Sequence, residues 1–91
     1  MASTPPLHRG HAALLNLLAD DDGGRTAYLR GGTVQFDRAS QDFLIGWYEQ
    51  LKDWQLIHAE DLMGRSEKIG EKVSLTADGV AIVERIRAKS A

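Results

Sequence analysis

QLIHAED, residues 55–61, and KVSLTADGVAIVERIR, residues 72–87, decide the fold. In the first, Leu56 and Ile57 open an extended run directly after a helical pattern. In the second, a strand pattern ends at Thr76 and a helical one begins. Thr76 is a helix-capping residue, and Asp78 suits the positive end of the helix that follows. Val80, Val83 and Ile86 then recur at helical spacing, and Arg85, Arg87 and Lys89 place cations where the helix dipole is negative. Between the two stretches lies GRSEKIG (64–70), polar and bounded by Gly64 and Gly70. LIHAEDLM (56–63) and EKVSL (71–75) therefore read as two strands, with residues 64–70 as the tip between them.

Upstream, DRASQDFLIGWYEQLKDW (37–54) reads as a helix capped at Asp37 or Ser40. Leu44, Trp47, Tyr48 and Leu51 fall on one face, and Phe43, Ile45 and Trp54 widen it. Gly46 costs about 1 kcal/mol against Ala inside a helix, a cost that a closely approaching element would explain. RTAYLRGGTVQF (25–36) reads as a hairpin turning at Gly31-Gly32, a pair that accepts positive φ at both positions. A two-residue turn sets Leu29 opposite Val34 and Ala27 opposite Phe36, all on one face, with Tyr28 and Gln35 on the other. Ala27, Tyr28 and Leu29 alone would also allow a short helix.

At the start, Thr4 can cap a helix with Pro5 in its first turn. Leu7, His11, Leu14, Leu15 and Leu18 give that helix one apolar stripe. DDDGG ends it, with Gly23 or Gly24 suited to the left-handed terminal position. Residues 1–3 read as a flexible tail and 4–91 as one domain. The expected fold is α+β, a small domain of two β-hairpins and three helices in the order α-β-β-α-β-β-α.

Composition narrows the function. The chain has 91 residues, a formal net charge of −2 and no cysteine. That length holds one modest core. A chain without cysteine has no disulfide or thiolate metal site, which favours a reducing cytoplasm. The first residues lack an apolar signal region, and AALLNLLA (12–19) is too short to span a bilayer, so no membrane partner is expected. His8 and His11 sit three apart, but two ligands do not make a metal site. Ser40, Ser66 and Ser74 have no nucleophile motif, and DGGRTAYLRGG has neither phosphate-loop spacing. No catalytic residue, metal or cofactor is expected, and the chain reads as a non-enzyme.

The second half, about residues 43–87, resembles a winged-helix domain of the MarR and PadR type. There a helix ends in an L-x-x-x-G-L-I run, a two-stranded wing follows, and LT-x-x-G opens a helix. Leu51, Leu56 and Ile57 match the first run; Leu75, Thr76 and Gly79 match the second. The resemblance implies DNA binding and transcription regulation, with a homodimer on paired half-sites. Arg65, Lys68 and Lys72 in the wing would then contact phosphates, and Gln41 near the helix start would face the bases. The chain departs from the pattern in three places. Gln55 stands where the family usually has Gly, a hairpin precedes the central helix, and that helix carries Asp42 and Glu49 beside apolar residues. The alternative expectation is a protein-interaction module that keeps this framework without touching DNA, with Phe43, Ile45, Trp47 and Trp54 as its interface.

Overall fold

The computed structural model describes residues 7–20, 24–39 and 41–90. The expected tail, the Thr4–Pro5 helix start, Gly23 and Ser40 lie outside those residues. The elements are α1 (Arg9–Ala19), β1 (Arg25–Arg30), β2 (Thr33–Phe36), β3 (Phe43–Leu44), α2 (Ile45–Asp53), β4 (Ile57–Met63), β5 (Lys68–Leu75) and α3 (Ala77–Ser90). The fold is α+β in the expected order, with the two-residue β3 added. All five strands join one antiparallel sheet in the order β3-β2-β1-β5-β4.

The first hairpin has the register that its alternation predicts: Ala27 opposite Phe36, Tyr28 opposite Gln35, Leu29 opposite Val34. Of its two turn glycines only Gly31 has positive φ, 59°, the pattern of a type II′ turn. β1 also pairs with β5, Arg25 opposite Val73 and Ala27 opposite Glu71. That ladder merges the two hairpins into one sheet.

The central helix is a correction. Among the described residues of 37–44, none is helical. The Asp37 carboxylate accepts the Thr26 N–H at 3.1 Å instead of capping a helix, and Arg38 has φ 59°, outside the helical region. Phe43 then pairs with Val34, and Leu44 with Thr33. α2 starts only after the Ile45 N–H has reached the Gly32 carbonyl at 2.9 Å. Two boundaries also move. α1 is capped at His8 and ends at Ala19, so the positive φ of Gly24, 79°, opens β1 rather than closing α1. β5 begins at Lys68 rather than Glu71, leaving a four-residue tip closed by Gly64 N–H to Glu67 carbonyl at 2.7 Å.

The two opening stretches are locked together. α2 ends in a Schellman motif, with Leu56 N–H bonded to Leu51 carbonyl and Gln55 N–H to Lys52 carbonyl, both at 3.0 Å. Gln55 takes the left-handed position of that motif, φ 59°. The Leu56 carbonyl accepts the Thr76 N–H at 3.1 Å, and the Gln55 carbonyl accepts the Thr76 hydroxyl at 2.7 Å. Thr76 Oγ1 in turn accepts the Gly79 N–H at 3.1 Å, which caps α3. A Cβ at Gly79 would lie 2.0 Å from the Leu56 oxygen. Glycine there is what lets α3 start against the β4 backbone.

The core lies between the helices and one sheet face. Leu14, Leu15 and Leu18 of α1, Tyr48 and Leu51 of α2, and Ile82 and Val83 of α3 meet Ala27, Val34, Phe36, Phe43, Ile57 and Val73. Burying each large apolar side chain stabilises the fold by about 1.5–3 kcal/mol. His11 belongs to this packing. Its Nδ1 accepts the His8 N–H at 2.8 Å, so Nε2 carries the proton and donates to Gln50 Oε1 at 2.7 Å. Its ring packs against Trp47 and Trp54. Gly10 beneath leaves room for Trp47, since a Cβ there would fall 2.1 Å from the indole.

Candidate functional site

A buried polar network ties the β4–β5 hairpin to α2. Glu71 is only 5% exposed, on the same sheet face as Ala27 and Val73. The Tyr48 hydroxyl donates to its carboxylate. Lys68 Nζ donates to Glu71 Oε2 at 2.8 Å and sits 3.0 Å from Asp61 Oδ1. Lys52 Nζ stands 3.6 Å from Glu71 and 5.0 Å above the Tyr48 ring centre. Burial by itself pushes the Glu71 carboxyl up, but Lys68, Tyr48 and Lys52 together hold it below the usual carboxylate range. Burial first, then the bond to Glu71, pushes the Tyr48 phenol upward. The bonds to Glu71 and then Asp61 raise Lys68. Each shift deepens the charge state that the group already has at neutral pH. The arrangement therefore holds structure and offers no group poised for proton transfer.

The candidate site residues named from the sequence all lie among the described residues. Arg65 is exposed at the tip between β4 and β5, and Lys72 is exposed on β5 opposite Glu60. Lys68 lies in the strand, held by two carboxylates. Gln41 is exposed but precedes β3, so it is not at a helix start. Phe43 is 5% exposed and stacked edge-on against Phe36 at 5.9 Å. The first hairpin covers it. Ile45 and Trp54 are half-buried against the core, and Trp47, also half-buried, lies against His11 and Gly10. Gly46 has no atom of another element within 4 Å of a built Cβ, so no approaching element explains it. A cleft of about 630 Å³ lies beside β4, lined by Lys52, Gln55, His58, Thr76 and Asp78 among others. His58 Nε2 meets Glu60 Oε1 at 3.1 Å, while Asp61 turns to Lys68, as strand alternation requires.

The feature that stands out on the surface is apolar. Tyr28, Leu29, Leu44, Met63 and Ile69 are 39–60% exposed. They lie toward one end of the sheet but not on one face: Leu29 is on the core side with Val34, and Tyr28 and Leu44 are on the other. β1 and β5 are antiparallel, so the Gly31-Gly32 turn and the 64–67 tip point the same way. Continuing their register sets Leu29 beside Ile69, and Met63 pairs with Lys68 next to it. A Cβ at Gly70 would touch Tyr28, and one at Gly64 would meet Ile69 at 2.9 Å. Leu44 pairs with Thr33 at the foot of the first turn. Arg30, Arg65 and Glu67 are exposed around this cluster.

Sequence patterns had a partial signal for both features. Alternation along EKVSL places Glu71 with Val73 and Leu75 on the apolar face, but no spacing connects Glu71 to Tyr48. Alternation also groups Leu29 with Ala27 on the core side. It does not show that the helices stop short of Leu29. Comparison with protein-family models, curated proteins and solved structures found no match.

Proposed function

We propose that this protein is a non-enzymatic interaction module that keeps a winged-helix-like framework and binds a protein through the shared end of its two hairpins. The apolar cluster there carries the reading. Exposed apolar residues scattered singly are ordinary, whereas Leu29, Met63 and Ile69 lie near one another at that end and offer a contact surface. Support for the framework comes from two positions. Gln55 adopts the left-handed turn where MarR- and PadR-type domains usually carry Gly, and Gly79, the Gly of the LT-x-x-G match, lies directly against the Leu56 carbonyl. β1, β2 and β3 stand in place of the first helix of a helix-turn-helix. α2 offers Gly46, Glu49, Gln50 and Asp53 to solvent, two of them acidic and Gln50 already bonded to His11, a poor set for reading base edges. A cytoplasmic setting fits a chain without cysteine. No helix among the described residues is long and apolar enough to cross a membrane.

The test compares immobilised wild type with Leu29→Glu/Ile69→Glu as baits in extract of the source cell. A partner held by wild type and lost from the variant is the expected result. Equal retention would place the contact elsewhere. A second reading, DNA binding by the wing, is favoured by exposed Arg30 and Arg65 at the two tips and Lys72 on β5. An NMR titration with a generic duplex separates the two. Salt-reversible amide shifts over residues 64–72 would support DNA, and an unchanged spectrum at low salt would remove it.

A further inference from the structure

We infer that the open edge of β4 pairs with the same edge of a second copy, antiparallel and about a two-fold axis at Ala59, so that two sheets become one. β4 ends the sheet. The Thr76 N–H bonds the Leu56 carbonyl, so with Ile57 opposite Leu75 it is His58, Glu60 and Leu62 that exchange main-chain bonds with β5. Ile57, Ala59 and Asp61 turn their N–H and C=O groups outward, and no strand among the described residues meets them. The other edge, β3, has two residues, whereas β4 has seven. β4 contains no proline or lysine, and its one irregularity lies at Leu62/Met63, past the outward groups. Such an edge is a template for another strand. There is room for one, because the cleft of about 630 Å³ is lined by Gln55, Ile57, Ala59 and Thr76.

The side chains select this chain's own strand. With the axis at Ala59, Ile57 of each copy faces Asp61 of the other, and the outward groups all find partners in about six main-chain bonds. On the solvent face His58 comes opposite Glu60 twice. Lys72 stands opposite Glu60 within each copy, so each row across the joint runs Lys72, Glu60, His58. His58 and Glu60 already bond one another within the strand at 3.1 Å, 61% and 71% exposed, so both reach outward and can exchange partners. Moving the axis by one residue sets His58 against itself or Glu60 against itself, and either loses these pairs. On the core side Asp61 brings Lys68 with it, 3.0 Å away, so no uncompensated charge enters the joint. Leu29 and Ile69 lie on inner strands and stay open in this pairing, which is therefore independent of the hairpin-end contact.

Sedimentation equilibrium of the full chain, from micromolar to millimolar concentration, should show a monomer–dimer equilibrium. Over the same range, amide exchange at Ile57, Ala59 and Asp61 should slow at least about 10-fold, whereas His58 and Glu60, already bonded to β5, should not change. Ala59→Pro removes an outward N–H that a single copy does not use. It should weaken the dimer at least about 100-fold with circular dichroism unchanged. His58→Glu should weaken it about 5- to 10-fold, since carboxylates then face one another twice. Adding Glu60→His to that variant should restore the dimer, a rescue that a folding defect cannot produce. A chain monomeric throughout, exchange at the three amides indifferent to concentration, or an absent rescue overturns the pairing. A monomer whose three amides slow only when a partner retained from extract is added gives the edge to a foreign strand, which overturns it as well.

Discussion

Gly79 and Gln55 occupy neighbouring backbones and make opposite demands. At Gly79 any side chain would collide with the Leu56 carbonyl, which the Schellman turn and the Thr76 N–H hold in place. Gly79→Ala should therefore cost about 2–3 kcal/mol, the range of forced overpacking. At about 4–8 °C per kcal/mol for a domain of this size, thermal melting would show it clearly. Gln55 has a φ of 59° that L side chains occupy at a cost of about 1–2 kcal/mol. Gln55→Gly removes that strain but adds unfolded-chain entropy. The net expectation is a stabilisation of about 0.5–1 kcal/mol, read from the denaturant midpoint at unchanged slope. The bond from Thr76 goes to the Gln55 main chain and survives the change.

At the scale of elements, the Tyr48–Glu71–Lys68 network fixes how the β4–β5 hairpin meets α2. Glu71→Gln keeps an acceptor for Tyr48 but leaves Lys68 and Lys52 without their shared buried carboxylate. A loss of about 1–3 kcal/mol is expected for such a buried partner. The pH dependence follows from the directions of the shifts. The Glu71 carboxyl is held down in the folded state, so its contribution is complete above its ordinary value and disappears as pH falls through the folded one. Tyr48 and Lys68 are raised, so their contributions are complete below their ordinary values of 10.0 and 10.5 and fade as pH rises beyond them. Denaturant midpoints measured across pH should fall at both extremes for wild type. The acid loss should be smaller in Glu71→Gln; equal acid losses would show that Glu71 does not carry it.

For the whole molecule, the sheet matters more than either hairpin. β5 pairs with β4 on one side and β1 on the other, and α1 packs on α3 through Arg87, which reaches Asn16 and Asp20 at 3.1 and 2.9 Å. The winged-helix resemblance covers only residues 43–87, but that stretch has neither β1 nor α1 to close its core. A fragment of residues 43–91 should give a poorly dispersed amide NMR spectrum, and the full chain should melt in one transition. A well-dispersed fragment spectrum would mean that the first half is an accessory layer.

The sequence by itself determined the elements whose signals are local. A two-residue glycine turn with alternating neighbours set the register of β1 and β2, and the Thr76 cap with Gly79 placed the start of α3. The His, Ser and Gly spacings of the chain match no catalytic or phosphate-loop motif. Only the tertiary structure decided where α2 begins. Helical periodicity runs through Phe43 and Leu44, yet pairing with Val34 and Thr33 satisfies their backbone groups in the sheet instead. It likewise decided that Phe43 is covered while Leu29 and Ile69 are open. Burial depends on where the helices end over the sheet, and no periodicity within a single segment records that.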